Sequence, residues 1–222
     1  MKESRTWIFG YGSLMWNPGF SYHCWRPALL RGYHRSYGMY STRNRGTTGR
    51  PGMILTLAPG RDCTGMAYHV EPGQEEAALA YLDQREGLGK AHRRVRMPLH
   101  PVDGEANADV RDDFNAEVRA DFNANAGGPA PMAGNGILHA YTYLPILSYP
   151  NYIQGVPVTR QAELVASGEG YGGSSFDYLR NTLETLSRMG VAEPELERLF
   201  GEVQRIQDRV PPKPAPSSTP DR

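Results

Sequence analysis

The chain has 222 residues, and its 24 Lys and Arg are matched by 24 Asp and Glu, for a formal net charge of zero. That balance excludes a dedicated binder of nucleic acid or of an acidic membrane surface, because both need an excess of positive charge. A hydrophobic content of 39% can fill a core, while 25 glycines and 18 prolines predict many turns and some segment outside it.

In chain order, Thr6 to Leu14 reads as a strand running into a glycine-broken loop, since Trp7, Ile8 and Phe9 favour strand and Gly10 and Gly12 interrupt it. Further strands are expected over Ala28 to Tyr33, Met53 to Leu57, Gly65 to Val70, Arg93 to Leu99 and Ile137 to Leu144, punctuated by Pro51-Gly52, Pro59-Gly60 and Pro72-Gly73. A helix is predicted over Gln74 to Glu86, with Glu75 and Glu76 in its first turn and Gly87 stopping it. Phe176, Leu179, Leu183 and Leu186 recur at helical spacing behind Ser174 and Ser175, two candidate N-caps. A last helix carries Leu196, Leu199, Phe200, Val203 and Ile206. This order suits a mainly antiparallel sheet curled toward a barrel, with helices around it, in one unit spanning residues 1–210. The Pro-rich tail, residues 211–222, has no apolar period and is expected to be disordered.

Between Val102 and Gly136 the composition shifts to Asp, Asn, Ala and Gly, and VRDDFNA at Val110 is echoed by VRADFNA at Val118. Val110, Phe114, Val118 and Phe122 would line one side of a helix. A surface excursion is the plain reading; a lid or a docking helix is the alternative. No stretch reaches the roughly 18 apolar residues of a membrane span. The first nine residues also lack the apolar core of a secretory signal, so the cytoplasm is the expected address. Cys24 and Cys63 form no CxxC pair, and the six histidines show no HxxxH or HExxH spacing, so no metal site is expected.

The densest signal is Ile8-Phe9-Gly10-Tyr11-Gly12-Ser13-Leu14-Met15. Glycines let the backbone approach a ligand closely, and a turn with several N–H groups can cradle a carboxylate or an oxyanion. Met15 stands where a dinucleotide fingerprint needs its third glycine, and Tyr11 and Met15 stand where a nucleophile elbow around Ser13 needs glycines. A glycine-rich turn with no ligand fits equally well. The second signal is Glu86, which follows Leu79 and Leu82 by seven and four residues and so shares their apolar helix face. Partial burial there, and the negative end of the helix dipole, both favour a carboxyl able to accept a proton. A solvated glutamate at a fraying helix end is the alternative. Asp83 falls off that face and is expected to be exposed, with Arg85 a surface or pairing residue.

Together, Ile8 to Trp16, Arg31-Gly32-Tyr33, Arg45-Gly46, Pro51-Gly52, Tyr81-Leu82-Asp83-Gln84-Arg85-Glu86 and Ser175-Phe176-Asp177-Tyr178-Leu179 resemble the ChaC-type family of glutathione-specific γ-glutamylcyclotransferases. The resemblance implies an α+β fold, a small mixed or antiparallel β-barrel with flanking helices. It implies cleavage of glutathione to 5-oxoproline and cysteinylglycine, with no cofactor and with a small molecule as the only partner; the oligomeric state stays open. It places the γ-glutamyl group on Ile8, Phe9, Gly10, Tyr11, Gly12, Ser13 and Leu14, the catalytic role on Glu86, and a substrate contact on Tyr178. Alternatives are a cyclotransferase for other γ-glutamyl peptides or amines, a non-catalytic binding module of the same fold, and an interaction protein that works through the VRxDFNA repeat.

Overall fold

The computed structural model describes residues 6–102 and 137–209, so the expected insertion beyond Val102 and the expected tail lie outside the described residues. Among the described residues, nine strands and four α-helices follow the chain. They are β1 (Trp7–Gly10), β2 (Tyr22–Leu30), β3 (Tyr33–Ser41), β4 (Gly52–Pro59), β5 (Cys63–Val70), α1 (Glu75–Glu86), β6 (His92–Leu99) and β7 (Leu138–Pro145), then α2 (Val158–Ser167), the short pair β8 (Glu169–Gly170) and β9 (Gly173–Ser174), α3 (Ser175–Arg188) and α4 (Pro194–Asp208).

Strand β1 is buried on both faces, which puts it at the centre. Successive strand side chains point to opposite sides, so Trp7 and Phe9 enter the main apolar cluster while Ile8 joins a second one with Leu14, Ala78 and Leu82 beneath α1. Five strands form one sheet in the order β2-β5-β1-β7-β6, mixed because β1 and β7 run parallel while the other neighbours are antiparallel. The two edges of this sheet meet: Leu29 of β2 and His100, just past β6, exchange both backbone hydrogen bonds, at 2.9 and 2.8 Å. The sheet therefore curls into a small barrel bridged at that end, which covers edges that would otherwise be exposed. Strands β3 and β4 form a separate antiparallel ribbon, and α2, α3 and α4 pack together beside it.

One expected strand needs correction, and two elements, β3 and α2, were not expected. The strand anticipated over Ala28 to Tyr33 is broken, because the chain turns at Arg31-Gly32, with Gly32 at φ +77, and β2 ends at Leu30. Beyond the turn, β3 was not anticipated: its His34, Arg35 and Ser36 hide the alternation, and its register shifts between Tyr37 and Met39. Helix α2 was also missed, since only Ala162, Leu164 and Val165 of its ten residues are buried and they trace no long period. The helix ends follow local chemistry closely. Ser174 caps α3 by accepting the Asp177 N–H at 2.9 Å, and Pro194 opens α4 where a missing N–H costs nothing.

Candidate active site

Leaving β1, the chain passes Tyr11 and Gly12 and closes a single 3₁₀ turn over Ser13–Met15, with Met15 N–H donating to the Gly12 carbonyl at 2.8 Å. Position 12 has no room for a side chain, because a Cβ there would lie 2.6 Å from the Tyr178 hydroxyl. The loop is pinned from several sides. The Tyr11 hydroxyl donates to the Tyr143 carbonyl at 3.1 Å, and the Tyr11 carbonyl accepts from Arg35 Nε at 2.7 Å. Ser13 Oγ accepts from Arg85 at 3.0 Å, and the Met15 carbonyl accepts from the Tyr68 hydroxyl at 2.8 Å. First-turn N–H groups have no acceptor inside their own turn, so Ser13 and Leu14 present a locally positive backbone.

Glu86 reaches the same place from α1. Leu82 is fully buried and Leu79 packs on the cluster of Ile8 and Leu14, so the residue one turn further along that face is delivered beside the loop. Gly87, at φ 64, ends the helix there, and Leu88 N–H closes the cap on the Asp83 carbonyl at 2.9 Å. The Glu86 side chain is 21% exposed, with Arg85 Nε 3.7 Å from its carboxylate. His92 donates from Nδ1 to the Glu86 backbone carbonyl at 2.7 Å, holding the end of the helix. Asp83 is not exposed as expected. It is half-buried, accepting from the Tyr143 hydroxyl at 2.8 Å and from Arg94 at 2.7 Å, and so ties α1 to β6 and β7. Arg85 also does more than pair at the surface, since its guanidinium bridges the Asn17 and Pro18 carbonyls to Ser13.

Loop, helix end, the 42–45 segment and α3 enclose a cleft of about 690 Å³. Among the residues singled out beforehand, Phe9, Tyr11, Gly12, Ser13, Leu14, Glu86 and Tyr178 all line it. Ile8 and Gly10 do not: Ile8 is wholly buried in the cluster under α1, and Gly10 is paired with Met66 inside the sheet. Burial pushes the Tyr178 phenol up to about 12, with the nearby Glu86 charge acting in the same direction. Burial, and then Glu86, raise Tyr11 as well. Both phenols therefore stay protonated at neutral pH, as hydrogen-bond donors, and both share the electrostatic surroundings of Glu86. A carboxylate, two phenols and a backbone turn around one cleft suit proton transfer on a small polar substrate.

The model of ChaC-like proteins matches residues 6–206. The chain belongs to the ChaC-like family. It is 34% identical over 204 residues to the glutathione-specific γ-glutamylcyclotransferase of Escherichia coli, spanning 92% of this chain and 75% of that one. It is 31% identical to the Arabidopsis thaliana γ-glutamylcyclotransferase 2-3, spanning 90% and 89% of the two chains. The crystal structure of the yeast γ-glutamylcyclotransferase specific to glutathione superposes with a TM-score of 0.71 at 21% identity, over 92% of this chain and all of that one, and establishes the fold.

Two residues of this ChaC-like chain escaped residue-by-residue reading. Arg35, on β3, has a side chain with no exposure; besides the Tyr11 carbonyl it binds Glu193 at 2.6 Å, the Thr64 carbonyl, and Met15 Sδ at 3.3 Å. Arg45 lies against the Tyr178 ring inside the cleft, and burial lowers the pKa of its guanidinium. Neither has a local signature, because their partners lie tens of residues away. The Arg45-Gly46 and Pro51-Gly52 pairs were the one hint that this stretch is tightly packed.

Proposed function

We propose that this protein is a γ-glutamylcyclotransferase that cleaves glutathione to 5-oxoproline and cysteinylglycine. The observation that carries the reading is the convergence of Glu86, Tyr178 and the Gly12–Ser13 turn on one cleft, in a chain whose relatives are named for this reaction. The α-amine of the γ-glutamyl group attacks its own γ-carbonyl, a five-membered ring forms, and the amide nitrogen leaves. No enzyme nucleophile and no water is consumed.

At neutral pH the amine is protonated and cannot attack. Glu86 accepts that proton and then returns one to the departing nitrogen, a role worth about 10² to 10⁴ in rate. The backbone N–H groups of the turn and the Tyr178 hydroxyl take the oxyanion that develops on the γ-carbonyl, and the cleft holds the substrate folded back on itself. Cys24 and Cys63 are not joined in a disulfide, which suits a reducing, cytoplasmic setting in which glutathione is kept reduced.

Purified protein with glutathione should release 5-oxoproline and cysteinylglycine in equal amounts. Glu86→Gln should keep the fold and glutathione binding while lowering kcat by at least about a hundredfold. Near-normal turnover by that variant would remove Glu86 from the mechanism.

A further inference from the structure

Three cations lining the cleft, Arg43, Arg45 and Lys90, have no carboxylate partner among the described residues, and of these only Arg45 is partly buried. The Arg45 guanidinium lies over the Tyr178 ring, 5.4 Å from its centroid, and its one hydrogen bond among the described residues is a long one, 3.5 Å, to the Ser174 carbonyl. Asp177 is the acid whose charge it feels, yet Asp177 is already engaged by Arg180 at 2.6 Å and by Ser174 Oγ at 2.7 Å. A partly desolvated guanidinium left in this state is costly unless something pairs with it.

Its position is nevertheless built with care. Arg45 N–H donates to Ser41 Oγ at 2.9 Å, and the Arg45 carbonyl accepts from the fully buried Ser175 Oγ at 3.1 Å. A Cβ on Gly52 would collide with that same carbonyl, so the ribbon closes on Arg45 only because position 52 lacks a side chain. A rigid backbone therefore aims a planar, two-pronged donor into the cleft. That is the arrangement that recognises a carboxylate by paired, charge-assisted hydrogen bonds.

Glutathione carries two carboxylates, and this inference rests on the cyclotransferase reading above. Tyr178 presents its hydroxyl end to Gly12 and a ring face to Arg45. The α-carboxylate sits one carbon from the amine that Glu86 must reach. The C-terminal carboxylate lies six bonds beyond the scissile carbonyl and can extend past the Tyr178 ring. We propose that Arg45 binds the C-terminal carboxylate of the γ-glutamyl peptide, and so selects such peptides over γ-glutamyl amines, which lack that group.

The test compares 5-oxoproline release from glutathione and from its glycyl monoethyl ester, using wild type, Arg45→Met and Arg45→Lys. Esterification should cost the wild type about 10- to 100-fold in kcat/KM, chiefly through KM. Arg45→Met should lose a similar factor on glutathione and far less on the ester, which has already lost the contact. Arg45→Lys should fall between the two, because it keeps the charge without the fork. The proposal is overturned if wild type uses the ester as well as glutathione, or if Arg45→Met loses equally on both substrates. A wild type that forms 5-oxoproline from neither substrate removes the cyclotransferase reading itself, and this inference with it.

Discussion

Replacing Arg35 by methionine tests whether the substrate loop depends on a buried charge behind it. The Arg35 side chain is wholly buried and Glu193 is 21% exposed, so the pair is shielded on one side and wet on the other. Breaking a buried ion pair costs about 3 to 5 kcal/mol, and the water that reaches Glu193 reduces its share. The Tyr11 and Thr64 carbonyls lose their guanidinium donor, each at a cost of about 1 to 3 kcal/mol if left unpaired. Methionine offsets part of this by filling the space and removing the desolvation of the guanidinium. The net loss should be about 2 to 4 kcal/mol, which for a chain of this length lowers Tm by roughly 5 to 15 °C. Thermal and urea unfolding at pH 7 read this directly. Glu193→Gln should cost less, because the amide oxygen still accepts a hydrogen bond, and the double variant should lose less than the sum of the two. Since Arg35 also holds the Tyr11 carbonyl, kcat/KM should fall even at temperatures where the variant is folded. A Tm within 2 °C of wild type, or strictly additive losses, would refute the argument.

Gly12→Ala places a methyl group 2.6 Å from the Tyr178 hydroxyl, on a ring wedged against Trp16 and Tyr37. Overpacking should cost about 1 to 3 kcal/mol and raise KM for glutathione; an unchanged KM would show that the turn does not touch substrate. Burial pushes the Cys63 thiol from 9.0 up to about 11 and Tyr178 from 10.0 to about 12. The unfolded chain releases these protons first, so their stabilising effect is complete below about pH 9 and is lost as pH rises through 11 to 12, about 3 kcal/mol for each group. Cys63→Ala should flatten the first part of that alkaline decline in urea midpoints measured from pH 8 to 11, and an unchanged slope would exclude Cys63 as its source.

Much of the framework was legible because its signals are local. Gly87 ends α1 where expected, Ser174 caps α3, and β4 and β5 fall where apolar runs meet Pro-Gly turn pairs. Glu86 could be placed on the face of Leu79 and Leu82 from helical spacing alone, and it lines the cleft. Ile8 and Gly10 were grouped with the loop because they adjoin it in sequence. Alternation sends Ile8 under α1, however, and pairing keeps Gly10 inside the sheet.

Residue types and spacing alone thus settled where α1 stops, where α3 begins, and which glutamate shares an apolar face. These depend on interactions within a few residues, and such interactions can be counted along the chain. The closure of the sheet between Leu29 and His100, the anchoring of Tyr11 by Arg35, and the setting of Arg45 over Tyr178 were decided by tertiary packing. Each joins residues 24 or more positions apart, and the free energy of a buried charge or a barrel seam exists only once the surrounding chain has excluded water from it.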